Sequence, residues 1–150
     1  TPCPARKKRL KASPSANSSA LNAAIPALLI RVLLRRCWEL LVLDRPGTAR
    51  LAVLGRAPLC RTVLLPQENT AAPLRAQQVV GCGLSPRCSL TLSGLTPRPV
   101  LCVQRRLTAV NGAAIEPQDI PLPLRWGRLP PEALLLAAGA WLLAEGHLPD

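Results

Sequence analysis

The 150-residue chain sets 19 Lys and Arg against 8 Asp and Glu, a formal net charge of +11, and its apolar fraction of 49% excludes wholesale disorder. Phe, Tyr and Met are absent, so Trp38, Trp126 and Trp141 are the only large rings and the core must be aliphatic. The charge favours polyanionic partners, an acidic protein or nucleic acid, and bears on association rather than on fold. With no Met anywhere in it, the chain reads as a processed product or a fragment.

Residues 1–20, TPCPARKKRLKASPSANSSA, are polar, rich in Pro and Ser, and basic. They predict a flexible arm ahead of a single domain over residues 21–150. Arg6, Lys7, Lys8, Arg9 and Lys11 form the densest charge run in the chain and are the candidate polyanion-binding residues. KRLK within this run fits the loose basic pattern of a nuclear import signal. No secretory signal precedes it, so a secreted chain would have lost its leader.

Residues 26–43, PALLIRVLLRRCWELLVL, predict a helix: Pro26 suits a first turn, and Arg31, Arg35 and Glu39 recur at steps of four as one polar stripe. Charges interrupt this run, and the apolar stretch from Ala133 to Ala144 is shorter than the roughly 20 residues a bilayer span needs. No transmembrane segment is expected. DRPG at 44–47 predicts a turn, and ARLAVL (49–54) and PLCRTVLL (58–65) predict two short strands joined as a hairpin near Gly55. QENTAAPL (67–74) reads as a loop, and GCG (81–83) with SPR (85–87) as a turn region.

Cys88, Leu90 and Leu92 alternate with Ser89, Thr91 and Ser93, the period of two of a half-buried strand. Val100–Val110 predicts its partner, closed by Asn111-Gly112, a strong hairpin signal because both residues tolerate positive φ. Ala113–Leu124 could pair back, confined to an edge by Pro117, Pro121 and Pro123. A last helix is predicted over 130–146, with Pro131 and Glu132 in its first turn, Gly146 at its end and His147 beyond, where the helix dipole is negative. Being apolar nearly all round, it should pack on the sheet, on the first helix, or in an interface with a partner or a second copy.

The fold expected from these elements is α+β: a small antiparallel sheet, mostly from residues 49–124, packed against two apolar helices, with a disordered basic N-terminal arm. The order Leu92, Leu95, Pro97, Leu107, Ala109, Asn111 resembles the corner and strand of fibronectin type III domains. PVLCVQRRLTAVNGAAIE resembles a hairpin of the regulators related to chorismate lyase, and LTAVNG resembles a PDZ strand. What the three share is the hairpin itself, and no functional residue carries over from any of them.

Cys3, Cys37, Cys60, Cys82, Cys88 and Cys102 are an even set and the candidate disulfide cysteines. Cys37 beside Trp38, and Cys102 between Leu101 and Val103, also read as small buried hydrophobes. Their spacing is wrong for zinc: there is no Cys-x-x-Cys, and His147 is the lone histidine. Glu39, Asp44, Glu68, Glu116, Asp119, Glu132, Glu145 and Asp150 form no spacing that commits a pair to acid–base work. No catalytic residues, metal ligands or cofactor are expected. The leading expectation is a noncatalytic binding module that engages an acidic protein or nucleic acid through the arm and an arginine-rich surface. The alternative is a secreted, disulfide-stabilised receptor- or ligand-like domain.

Overall fold

A computed structural model describes residues 33–67 and 74–149, so the basic arm lies outside the described residues. Residues 33–35 are helical, but the chain then turns extended: Cys37–Val42 is strand β1, not the continuation of a helix to residue 43. The fourfold spacing of Arg31, Arg35 and Glu39 suggested the helix; the ladder decides otherwise. Trp38, Leu40, Leu41 and Val42 sit beside Cys60, Thr62, Val63 and Leu64 in a parallel register, and with Leu40 packed in one core cluster and Trp38 and Leu41 in the other the strand shows no polar alternation to read.

Parallel neighbours cannot be joined by a tight turn; they need a crossover. Helix α1, Arg45–Leu54, supplies it where a strand was predicted. Asp44 caps its start, accepting a hydrogen bond from Gly47 N at 2.7 Å through its side chain and one from the Thr48 hydroxyl at 2.8 Å through its carbonyl. Pro46 occupies the first turn, and Gly55 ends the helix at φ 62. DRPG is therefore a helix start, and Gly55 a helix stop rather than a hairpin.

Strand β2, Leu59–Pro66, agrees with the sequence; β3, Arg75–Cys82, was not anticipated and runs parallel to it. Strand β4, Leu90–Gly94, meets β3 in parallel at Cys82 and Leu90. From there the sheet turns antiparallel: β4 pairs with β5, Val100–Val103, through Leu90 opposite Val103 and Thr91 opposite Cys102. The predicted long second strand breaks at residues 104–106 into β5 and β6, Leu107–Thr108, which forms a small hairpin with β7, Ala114–Ile115. Asn111 accepts from Ala113 N at 2.9 Å, and Gly112 holds φ 87, as an Asn-Gly turn requires. Strand β8, Gln118–Pro121, returns to the edge beside β5.

The fold is α+β, and the sheet is mixed: its order is β1-β2-β3-β4-β5-β8, parallel in the first half and antiparallel in the second. The expectation of a wholly antiparallel sheet is corrected by α1, whose crossover makes β1 and β2 run the same way.

After a 3-10 helix at Leu124–Arg128, helix α2, Pro131–Glu145, closes the core. Leu134, Leu135, Ala138, Gly139, Leu142 and Leu143 are buried, a single stripe laid on β1 to β4. Gly139 sits where α2 comes closest: a Cβ there would lie 2.8 Å from Leu90 Cδ1 and 3.0 Å from Leu64 Cδ2. The glycine that weakens the helix locally is what lets it approach the sheet. At the other end Gly146 caps α2 at φ 81, while Val110 N and Asn111 Nδ2 donate to the Leu143 and Glu145 carbonyls at 2.7 and 3.1 Å. The β6–β7 hairpin thus satisfies helix carbonyls that have no partner within α2.

The main core joins this stripe to Leu64, Val80, Cys82, Leu90, Leu101 and Val103. A smaller cluster gathers Cys60, Val63 and Leu65 with Trp38, Leu41 and Leu43. Among the described residues no helix is long and apolar enough to cross a membrane.

Candidate functional site

Arg6, Lys7, Lys8, Arg9, Lys11 and Cys3 lie outside the described residues. Cys37 opens β1, and Cys60, Cys82, Cys88 and Cys102 are buried free thiols. Burial pushes the thiols of Cys60 and Cys102 up from their ordinary ionisation range. Cys82 is pushed up to about 12, first by burial, then by the neighbouring Cys88 and by the Glu132 carboxylate. At neutral pH such a thiol keeps its proton and is a poor nucleophile. Among the described residues no cluster of His, Cys, Asp and Glu is placed to hold a metal ion. His147 lies past the end of α2, its Nδ1 3.2 Å from the Glu145 carbonyl oxygen.

Two concavities meet at the carboxyl end of β2. The larger, about 500 Å³, lies between the ends of β2 and β3 and the first turns of α1 and α2, and is lined by Arg45, Gln67, Cys82, Ser85, Cys88 and Glu132 among others. At its rim Arg45 Nε donates to Glu132 Oε2 at 2.6 Å, a half-exposed ion pair that spans the two helix starts. Within it the Cys82 thiol keeps its proton at neutral pH, and the Arg45 guanidinium and Glu132 carboxylate are paired with each other.

The smaller concavity, about 170 Å³, opens on the sheet face away from α2. Alternation along the strands puts Leu65, Val79, Gly81 and Ser89 on this face, with Leu64, Val80, Cys82 and Leu90 on the other. Arg87 and Arg105 flank it. Each is solvent-exposed, and Arg105 Nη2 donates to the Arg87 carbonyl at 3.0 Å, which fixes the two loops side by side. Between the two concavities Gln67 lines both, and its Oε1 is buried with no hydrogen-bond partner among the described residues. Gly81 lies beside it, where a Cβ would be in ordinary van der Waals contact with Gln67 Cβ at 3.4 Å and Oε1 at 3.5 Å.

The surface around these sites is strongly arginine-biased. Arg61 pairs with Glu39 at 3.2 Å and Arg106 with Glu116 at 3.1 Å. Arg35, Arg36, Arg56, Arg75, Arg87, Arg125 and Arg128 are exposed with no ion-pair partner among the described residues. Arg98 and Arg105 reach only backbone carbonyls, of Leu122 and Arg87. Sequence reasoning missed Gln67, Arg87 and Arg105 as a group. SPR was read as a turn and QRR as mid-strand, and only the pairing of Leu90 with Val103 brings the residues before β4 beside those after β5.

No family model matches the chain, and no curated protein and no solved structure matches it either.

Proposed function

We propose that the protein is a noncatalytic binding module that engages an acidic partner, protein or nucleic acid, through its exposed arginines together with Arg6, Lys7, Lys8, Arg9 and Lys11. The observation that carries this reading is the set of exposed arginines with no ion-pair partner among the described residues. Unpaired guanidiniums raise the local potential, speed encounter with polyanions and offer forked donors to carboxylate or phosphate.

The test is binding of polyglutamate and of a DNA oligomer to the full chain over a series of salt concentrations. Both affinities should fall steeply with salt, since screening and counterion effects dominate such contacts. Replacing Arg6, Lys7, Lys8, Arg9 and Lys11 together by Gln should weaken binding and flatten the salt dependence. Affinity unchanged by that replacement removes the arm from the reading; no binding to either polymer ends the reading altogether.

In the alternative reading, a secreted disulfide-stabilised domain, cysteines would be paired in the native protein. Thiol counting under denaturing conditions on natively isolated material decides it, and six free thiols dismiss it.

A further inference from the structure

We propose that the depression flanked by Arg87 and Arg105 is the docking point for an acidic segment of a partner protein, with a carboxylate on the arginine pair, a backbone N–H on Gln67 Oε1 and an apolar side chain on Val79. This rests on the reading of the chain as an acidic-partner module and narrows it to one place and one kind of partner.

Three features of the depression select a peptide over a nucleic-acid backbone. The first is charge: Arg87 and Arg105 are exposed, adjacent and without a carboxylate among the described residues, and their loops are tied together by the bond from Arg105 to the Arg87 carbonyl. A carboxylate can meet either guanidinium by forked hydrogen bonds. The second is Gln67 Oε1, a buried acceptor with no donor among the described residues, on a side chain that lines the depression and can take a hydrogen bond from a ligand bearing an N–H or O–H. A peptide brings an N–H at each non-proline residue, whereas a phosphate backbone presents acceptors alone. The third is Val79, 52% exposed on the same lining, an apolar surface that a side chain can cover and a phosphate cannot. A space of about 170 Å³ suits one side chain and its adjoining backbone.

The experiment uses the full chain and fluorescence anisotropy with two labelled probes: a short peptide alternating Glu and Val, and an oligo-dT of matched charge. Arg87→Gln/Arg105→Gln should weaken peptide binding about tenfold. Arg125→Gln/Arg128→Gln, which removes the same charge from the 3-10 helix, should weaken it less. Gln67→Leu should weaken the peptide and leave oligo-dT unchanged, with Gln67→Met as the substitute if the leucine lowers the melting temperature followed by Trp fluorescence. Equal losses from the two double variants overturn the proposal, as does peptide binding indifferent to both Gln67 variants. A wild-type chain that binds oligo-dT and not the peptide also overturns it while leaving the broader function standing; binding of neither probe overturns both.

Discussion

Val79 and Val80 are neighbours in β3, yet one is 52% exposed and the other fully buried. On Val80's side the sheet meets α2 so closely that a side chain at position 139 would have to displace Leu90 and Leu64; on Val79's side it meets arginines and a glutamine oxygen with no partner among the described residues. The first face holds the fold together; the second is covered at Val63 and Leu65 by the smaller cluster and is open to a partner at Val79. The two should respond oppositely to substitution, in stability for the first and in binding for the second.

The largest expected effect lies under α2. Leu64 is fully buried between β1, β3 and α2, so Leu64→Ala should cost ~2–5 kcal/mol of unfolding free energy, from lost transfer energy and a residual cavity. Val79→Ala, on the neighbouring strand but facing the open side, should stay within ~0.5 kcal/mol. Urea titration of both variants measures the contrast, and comparable losses would erase the distinction between the faces. Gly139→Ala tests the same contact from the helix. Alanine favours a helix over glycine, but its methyl would stand 2.8 Å from Leu90 Cδ1, and the net should be a loss of ~1–3 kcal/mol as α2 lifts from the sheet. A gain in stability would mean that α2 does not pack as closely as described.

The covered face also carries a pH dependence. Cys82 ionises near 9.0 in an exposed chain and near 12 in the fold, so the folded state holds its proton where the unfolded state has released it. Its stabilising contribution is therefore complete below pH 9 and is lost as pH rises toward 12, and Cys60 and Cys102, shifted the same way, act in the same direction. The urea midpoint of the wild type should fall more steeply between about pH 8 and about pH 11 than that of Cys82→Ala. Parallel declines would show that Cys82 ionises as an exposed thiol does.

Half of this architecture could be read from the chain. The Asn111-Gly112 turn, the alternation through Leu90 and Leu92, and the Pro131 and Gly146 limits of α2 are all local signals, and each corresponds to an observed feature. The parallel half was hidden for a physical reason. Strands β1 and β2 have apolar residues pointing both ways, so CWELLV offers no period of two, and its one charge, Glu39, falls by chance at a helical spacing from Arg31 and Arg35. In α1 the caps at Asp44 and Gly55 were readable, but the apolar residues between them looked equally like a strand. The candidate site was less legible still. Its charge was visible as composition, but Gln67, Arg87 and Arg105 are joined only by the sheet order and by the register of β4 against β5, which no local pattern encodes.

At the start of α1 the Asp44 cap offers an intermediate effect. Asp44→Ala removes the acceptor of the Gly47 N–H and should cost ~1 kcal/mol, while Asp44→Asn, which keeps an acceptor oxygen, should recover most of it. Equal losses from both would point to the carboxylate charge near the helix start rather than to the cap bond.

The smallest effect belongs to the ion pair between the two helix starts. Arg45 and Glu132 meet at 2.6 Å, but their side chains are 51% and 38% exposed, so solvent screens most of the attraction and both long side chains lose rotamer freedom. Glu132→Gln should therefore change stability by less than ~1 kcal/mol, and the change should shrink further at high salt. A larger, salt-independent loss would mean that the pair holds the 500 Å³ cavity in shape, and that the rim between α1 and α2, like the sheet beneath α2, belongs to the load of the fold rather than to its open surface.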